Sequence, residues 1–192
     1  MQPMLHVTSG EIELAVYAWG EKAGRPTVLL VHGYPDSAEV WTAVAERLSD
    51  RFHVIAYDVR GAGRSSAPRD TAGYALEHLV GDLAAVVDAL SPDAPVHLVG
   101  HDWGAIQGWE ALVSDRLRGR IASYSAATPA LDHVGLWFQR RVRRPTAKSL
   151  REVLSQALGS SYMMAFQLPL LPELGWNLLF GRHWPALVAR ME

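Results

Sequence analysis

Val96-His97-Leu98-Val99-Gly100-His101-Asp102-Trp103-Gly104 is the stretch that decides the reading of this chain. A short apolar run ends at Gly100. A polar tripeptide follows, and from Ala105 to Val113 the residues take on a helical pattern. Strand, small–X–nucleophile–X–small turn, helix is the pattern of a nucleophile elbow, in which a sharp turn lifts one side chain into a cleft. The central position is commonly Ser; here it is Asp102. A carboxylate there is suited to attacking an alkyl carbon and forming an ester intermediate. The plainer alternative is an ordinary helix N-cap, for which Asp is a preferred residue. Gly100 and Gly104, flanking it on both sides, favour the elbow.

Working outward, the same alternation recurs. Glu11–Tyr17 alternates polar and apolar residues at first and reads as a half-exposed strand, with Ser9-Gly10 turning out of a short strand before it. Thr27–Val31 and His53–Tyr57 are apolar runs, as expected of strands buried on both faces. Ile121–Ser125 reads as a further strand. Ala38–Leu48 reads as a helix with Val40, Trp41, Val44 and Leu48 on its apolar face. Leu76–Leu90 repeats apolar residues at helical spacing throughout. Strands alternating with helices predict an α/β fold: a mostly parallel sheet with helices on both faces. Ligands bind at the carboxyl ends of the strands in such sheets. Three motif-bearing turns fall there: His32-Gly33-Tyr34-Pro35, Asp58–Ser66, and the elbow. After Thr128-Pro129 the strand signal stops. Residues 1–128 read as the N-terminal part of the core, and 129–192 as the first part of a helical cap, with helix-like pieces near Leu150–Leu158 and Trp176–Phe180.

Composition narrows the chemistry. The 192 residues are 49% hydrophobic and 20% charged, with a formal net charge of −2 and no Cys. Disulfides, thiolate metal sites and Cys nucleophiles are excluded, and nothing in the charge favours nucleic acid as a partner. The start of the chain lacks the basic-then-apolar order of a signal peptide, so a cytoplasmic protein is expected. Met163–Phe180 approaches the length of a membrane span but contains Pro169, Pro172, Glu173 and Gly175, so no integral membrane segment is expected.

The other motifs read as support. Gly61-Ala62-Gly63 lacks the third glycine of a dinucleotide-binding loop and reads as a turn propping the cleft; Ser65 and Ser66 lie on no elbow. His78 and Asp82, four apart on a helix, read as a solvated pair rather than a metal pair. Arg140-Arg141-Val142-Arg143-Arg144 reads as a solvated face or a loop, with an anionic partner or a lipid head group as the alternative. A tetrahedral oxyanion needs two N–H donors. The elbow offers the backbone N–H of Trp103, and the turn after Val31 offers that of Tyr34. None of the histidines suits the general base of an elbow triad.

Together, His32-Gly33-Tyr34-Pro35-Asp36-Ser37, Asp58-x-Arg60-Gly61-x-Gly63-x-Ser65 and Gly100-His101-Asp102-Trp103-Gly104 resemble the epoxide hydrolases of the α/β-hydrolase fold, mycobacterial members above all. The resemblance implies hydrolysis of an epoxide to a vicinal diol through an ester on Asp102, without metal or cofactor. Tyr34 and Trp103 would form the oxyanion hole. Tyr162, in Tyr-x-x-x-Phe-Gln, would bind and protonate the epoxide oxygen. His32, Pro35, Trp137, Phe138 and Phe166 would line a pocket for a small apolar epoxide. The triad His, its acid and a second cap Tyr would lie beyond residue 192, so this stretch alone is expected to be incomplete for turnover. In some members a short-chain dehydrogenase domain follows, so one is implied for the full-length protein, and a homodimer is a further expectation. Haloalkane dehalogenases share Gly-His-Asp-Trp-Gly and are the enzymatic alternative; a catalytically incomplete binding module is the alternative of another class.

Overall fold

The computed structural model describes residues 2–161. Tyr162, Phe166 and the Trp176–Phe180 piece therefore lie outside the described residues. By its contacts the chain divides into two compact units, Met1–His133 and Val134–Glu192.

The first unit is built on a six-stranded sheet. Its strands are β1 (Leu5–Ser9), β2 (Ile12–Trp19), β3 (Thr27–Val31), β4 (His53–Tyr57), β5 (Val96–Gly100) and β6 (Ile121–Ala126), in the order β1-β2-β4-β3-β5-β6. β1 pairs antiparallel with β2, and β2 with β4; the β4-β3-β5-β6 portion is parallel. Every residue of β3 and β4 is buried, as their unbroken apolar runs require. Successive side chains on a strand point to opposite faces, and this splits the core in two. Leu14, Val16, Leu29, Val31, Ile55, Tyr57 and Leu98 pack with α2 (Leu76–Leu90) and with Ala111 of α3 (Trp103–Val113). Ala15, Tyr17, Val28, Leu30, Val54 and Ala56 pack with Ala38 and Ala45 on the other side. The expected mostly parallel sheet with helices on both faces is what forms.

The Ala38–Leu48 expectation needs correcting. The segment is a 3-10 turn, Ala38–Trp41, followed by α1 (Thr42–Leu48). Its buried residues are Ala38 and Ala45, whereas Val40 and Val44 are 48% and 41% exposed. Close approach to the sheet selects the small side chains for full burial; Trp41 and Leu48 of the expected face pack against the same core at its margin, while Val40 and Val44 turn outward.

In the second unit, α4 (Leu131–Arg143, beginning just before the unit boundary) and α5 (Ala147–Gly159) are amphipathic helices with no buried residue. Thr146 and Ser149 form a reciprocal capping box that starts α5. Of the arginine run, expected as a solvated face or loop, Arg140–Arg143 forms the last turn of α4 and Arg144 follows it. Arg141 leans on the Trp137 ring, 3.8 Å from its centroid, and donates from Nε to Glu152 of α5 at 2.7 Å.

Candidate active site

β3, β4 and β5 run parallel, so the turns after them meet at one edge of the sheet. The elbow is the most constrained of these turns. Asp102 has φ 53° and ψ −126°, and among the described residues it is the one non-glycine with positive φ. Such a conformation persists only where its surroundings enforce it. Here the enforcement comes from glycines. A Cβ on Gly104 would run into the carbonyl oxygens of Val31 and His32, and one on Gly100 would lie 2.6 Å from Ala105 Cα. The strand end and the helix start therefore approach closely enough to force the sharp reversal. The His101 N–H donates to the Val31 carbonyl at 3.1 Å and ties the elbow to β3.

The half-buried Asp102 side chain caps α3: its Oδ2 accepts from the Trp103 N–H at 2.6 Å. The helix N-terminus favours negative charge at this spot. Gly33 lies directly against the carboxylate, since a Cβ there would sit 2.5 Å from Asp102 Cβ and 2.7 Å from Oδ2. Tyr34 and Trp103 are 54% and 43% exposed at the same edge. The Tyr34-Pro35 bond is cis. The Trp41 ring stands edge-on to His101, with centroids 6.5 Å apart.

His32 is placed differently from an open pocket wall. It is 2% exposed, and both ring nitrogens are engaged. Nε2 accepts from the Val59 N–H at 2.9 Å, so the proton resides on Nδ1, which donates to the Gly33 carbonyl at 2.8 Å. Burial pushes its pKa below the ordinary histidine value. His32 thus stitches the turn after β3 to the turn after β4. Trp137 and Phe138 lie in the second unit, ring centroids 4.9 Å apart and edge to face.

The turn after β4 is held by groups that sequence reading passed over. Asp58, 1% exposed, accepts three hydrogen bonds of 2.8 Å, from the Ala38 N–H, the Arg64 N–H and the Tyr17 hydroxyl. Burial, and then the Asp58 bond, push the Tyr17 pKa up to about 12. A Cβ on Gly63 would collide with the Asp58 carboxylate. Ser65 Oγ donates to the Asp58 carbonyl at 2.6 Å and accepts from the Ala15 N–H, while Ser66 Oγ accepts from the Glu13 N–H. Both serines are sutures between turn and sheet, which fits their reading as poor nucleophiles.

Asp82 corrects the solvated-pair expectation. It is fully buried and holds Arg60 through both carboxylate oxygens, at 2.6 and 2.7 Å, while Arg60 also donates to the Gly73 and His78 carbonyls. The signal was present: Asp82 falls on the same helical stripe as Leu79, Leu83 and Val86, where a charge persists only if paired. Among the described residues no cluster of three or more His, Cys, Asp or Glu is arranged to hold a metal. None of the described helices is long and apolar enough to cross a membrane.

A mostly parallel sheet with a strained, glycine-flanked Asp at the start of the helix after β5 defines a class, and a family model described as the alpha/beta hydrolase fold matches residues 26–185; the chain belongs to that family. Within it, the chain is 39% identical over 165 residues to the protein of Mycobacterium tuberculosis called probable oxidoreductase EphD, covering 85% of this chain and 28% of that one. It is 44% identical over 92 residues to an epoxide hydrolase of Caballeronia sordidicola, covering 47% of this chain and 28% of that one. The crystal structure of epoxide hydrolase VrEH1 from Vigna radiata superposes with a TM-score of 0.60 at 35% identity, over 66% of this chain and 38% of that one. The chain thus spans less than a third of the length of the two sequence relatives.

Proposed function

We propose that this chain carries the nucleophile-bearing part of an epoxide hydrolase. The observation that carries the reading is the enforced positive φ of Asp102 at the N-terminus of α3, which holds a half-buried carboxylate at the edge of the sheet where the motif turns converge. The similarity to proteins named epoxide hydrolases supports the choice of substrate class.

In the proposed reaction one Asp102 oxygen attacks an oxirane carbon. The C–O bond of the ring breaks, and its oxygen leaves as an alkoxide that takes a proton from the Tyr162 hydroxyl. The other carboxylate oxygen, Oδ2, becomes the ester carbonyl and is already bonded to the Trp103 N–H. When water adds to that ester, negative charge grows on the same oxygen, where the Trp103 N–H, the α3 dipole and a second N–H from Tyr34 stabilise it. Water, activated by the triad histidine expected beyond residue 192, expels the diol and restores the carboxylate, and the proton it yields returns to the Tyr162 phenolate. The bulky residues assigned to the pocket (Pro35, Trp137, Phe138 and Phe166) suit an apolar epoxide. On this reading the enzyme is cytoplasmic and homodimeric, and in the full-length protein a short-chain dehydrogenase domain accompanies the hydrolase.

Incubating the protein with an excess of styrene oxide and mapping it by mass spectrometry tests this. The expected result is an adduct of epoxide mass on Asp102, transient where turnover completes and stable where it does not, and absent from Asp102→Asn. An adduct on another residue only, or diol production that survives the substitution, overturns it. Release of halide from 1-bromobutane with no reaction of the epoxide establishes the dehalogenase alternative instead.

A further inference from the structure

His32 is buried, with both ring nitrogens engaged. Such a residue touches no substrate, yet it can act on a reaction through the peptide it holds. Its Nδ1–H donates at 2.8 Å to the carbonyl of Gly33, the residue before Tyr34. The Asp36 N–H donates to the same oxygen at 3.1 Å. Two donors on one carbonyl fix the plane of the peptide that carries it. The Gly33–Tyr34 bond is trans, so its C=O and its N–H point in opposite directions. With the Gly33 oxygen drawn towards the buried ring, the Tyr34 N–H is aimed away from it. This peptide starts beside Asp102: a Cβ on Gly33 would lie 2.7 Å from Asp102 Oδ2 and 2.7 Å from the Trp103 nitrogen. A donor fixed on it is therefore fixed relative to the oxygen that becomes the ester carbonyl.

The two holds on the Gly33 carbonyl differ in kind. The Asp36 bond closes a turn within the same loop and moves with that loop. The His32 bond comes from a ring packed in the interior, whose Nε2 accepts from the Val59 N–H at 2.9 Å. That second bond also selects the tautomer. With Nε2 accepting, the proton sits on Nδ1, where the Gly33 carbonyl uses it. A protonated ring would set two donors against each other at Val59, and burial, which lowers the His32 pKa, opposes that form.

We propose that His32 is a positioning residue for the oxyanion hole: its Nδ1–H holds the Gly33–Tyr34 peptide so that the Tyr34 N–H faces the ester formed on Asp102. This role rests on the reaction proposed above for Asp102 and adds the group that aims one of its two donors. Oxyanion donors act where negative charge develops. During alkylation the Asp102 carboxylate loses charge, so these donors give that step no help. During hydrolysis of the ester the charge returns to Oδ2, and there they do. Loosening the Tyr34 N–H therefore slows the second step and spares the first. A strut that only joined two turns would affect both steps alike.

Rapid-quench single turnovers of the full-length protein with styrene oxide, with the Asp102 adduct followed by mass spectrometry, separate the two steps. Two variants each keep one half of the imidazole. The side-chain amide of His32→Asn reproduces the Nδ1 donor, and that of His32→Gln reproduces the Nε2 acceptor. His32→Gln is expected to form the adduct at the parental rate and to hydrolyse it at least ~10-fold more slowly, since removing an oxyanion donor outright costs about 100-fold or more. The adduct then accumulates. His32→Asn is expected to hydrolyse it at close to the parental rate, although it gives up the Val59 bond. Equal hydrolysis by the two variants, or a Gln variant slowed alike in both steps, overturns the proposal and leaves the assignment of Asp102 standing. A Gln variant that no longer folds while the Asn variant does makes the Gly33 bond a strut and overturns it likewise. A parent that forms no adduct on Asp102 overturns both readings together.

Discussion

Asp58 and Asp102 are close equivalents by position: each follows a fully or largely buried parallel strand, β4 or β5, at the same edge of one sheet. The structure uses them in opposite ways. Asp58 is sealed, with three donors filling its oxygens and the backbone in an ordinary conformation. Asp102 is half-buried, takes one backbone donor from its own helix, and sits in a conformation that its neighbours must enforce. A carboxylate saturated with hydrogen bonds is a poor nucleophile and a good strut. A carboxylate with one oxygen anchored and the other open can react. The number of donors aimed at each side chain, rather than its place after a strand, separates structure from chemistry.

The sharpest way to break this contrast is to remove each carboxylate in turn. Asp102→Asn is expected to lower epoxide turnover by at least ~1,000-fold, as loss of a covalent nucleophile does, and to change stability by under about 1 kcal/mol, read by urea denaturation. Asp58→Ala should do the reverse. It orphans three buried donors, at about 1–3 kcal/mol each before relaxation, and is expected to cost about 3 kcal/mol or more of stability. If Asp58→Ala unfolds no more easily than Asp102→Asn, the contrast fails.

Next in size come the Arg60–Asp82 pair and the glycine beside Asp102. Asp82→Ala leaves Arg60 buried and unpaired, which costs about 3–5 kcal/mol and appears as a lowered unfolding midpoint. Gly33→Ala places a Cβ 2.5 Å from Asp102 Cβ. It is expected to depress kcat/KM about a hundredfold, because a displacement of this scale at reacting groups costs that much, while costing under ~2 kcal/mol in stability. A variant that is equally impaired in both would show Gly33 to be a packing position alone.

The smallest effect is a pH dependence. Burial lowers the His32 pKa in the fold, while in the unfolded chain histidine titrates near ~6.5. Between those two values the unfolded chain binds more protons, so stability rises with pH. The His32 contribution is fully present above about pH 6.5 and is lost as pH falls towards the folded value, where protonation also opposes the Val59 N–H to a second donor. Urea midpoints between pH 5 and 8 check this. His32→Gln is expected to flatten the acid limb, though only in part, since burial shifts His53 in the same direction. An unchanged slope would remove His32 from the account.

Much of the fold was legible because it follows from local pattern. Thr27–Val31, His53–Tyr57, Leu76–Leu90 and Val96–Gly100 begin and end where apolar runs or helical spacing place them. Helix α4 was not legible: its apolar stripe is broken by Gly135 and by three arginines, which read more readily as a solvated face or loop. The Ala38–Leu48 segment was placed correctly along the chain but its face only in part: Trp41 and Leu48 pack against the core as expected, whereas the fully buried positions are Ala38 and Ala45 and the two valines are exposed. At the candidate site, Asp102, Gly100 and Gly104 stood out because an elbow is a contiguous motif. Asp58 with Tyr17, and Arg60 with Asp82, did not, because partners 41 and 22 residues apart carry no local pattern.

The sequence by itself determined the α/β alternation, the place of the elbow and the identity of its carboxylate, all of which are properties of short contiguous stretches. Only the tertiary structure decided which acidic side chains are buried in networks and which stays half-buried with a single backbone donor. Burial and hydrogen bonding depend on what distant segments bring to a site, and no residue's own neighbours along the chain record that.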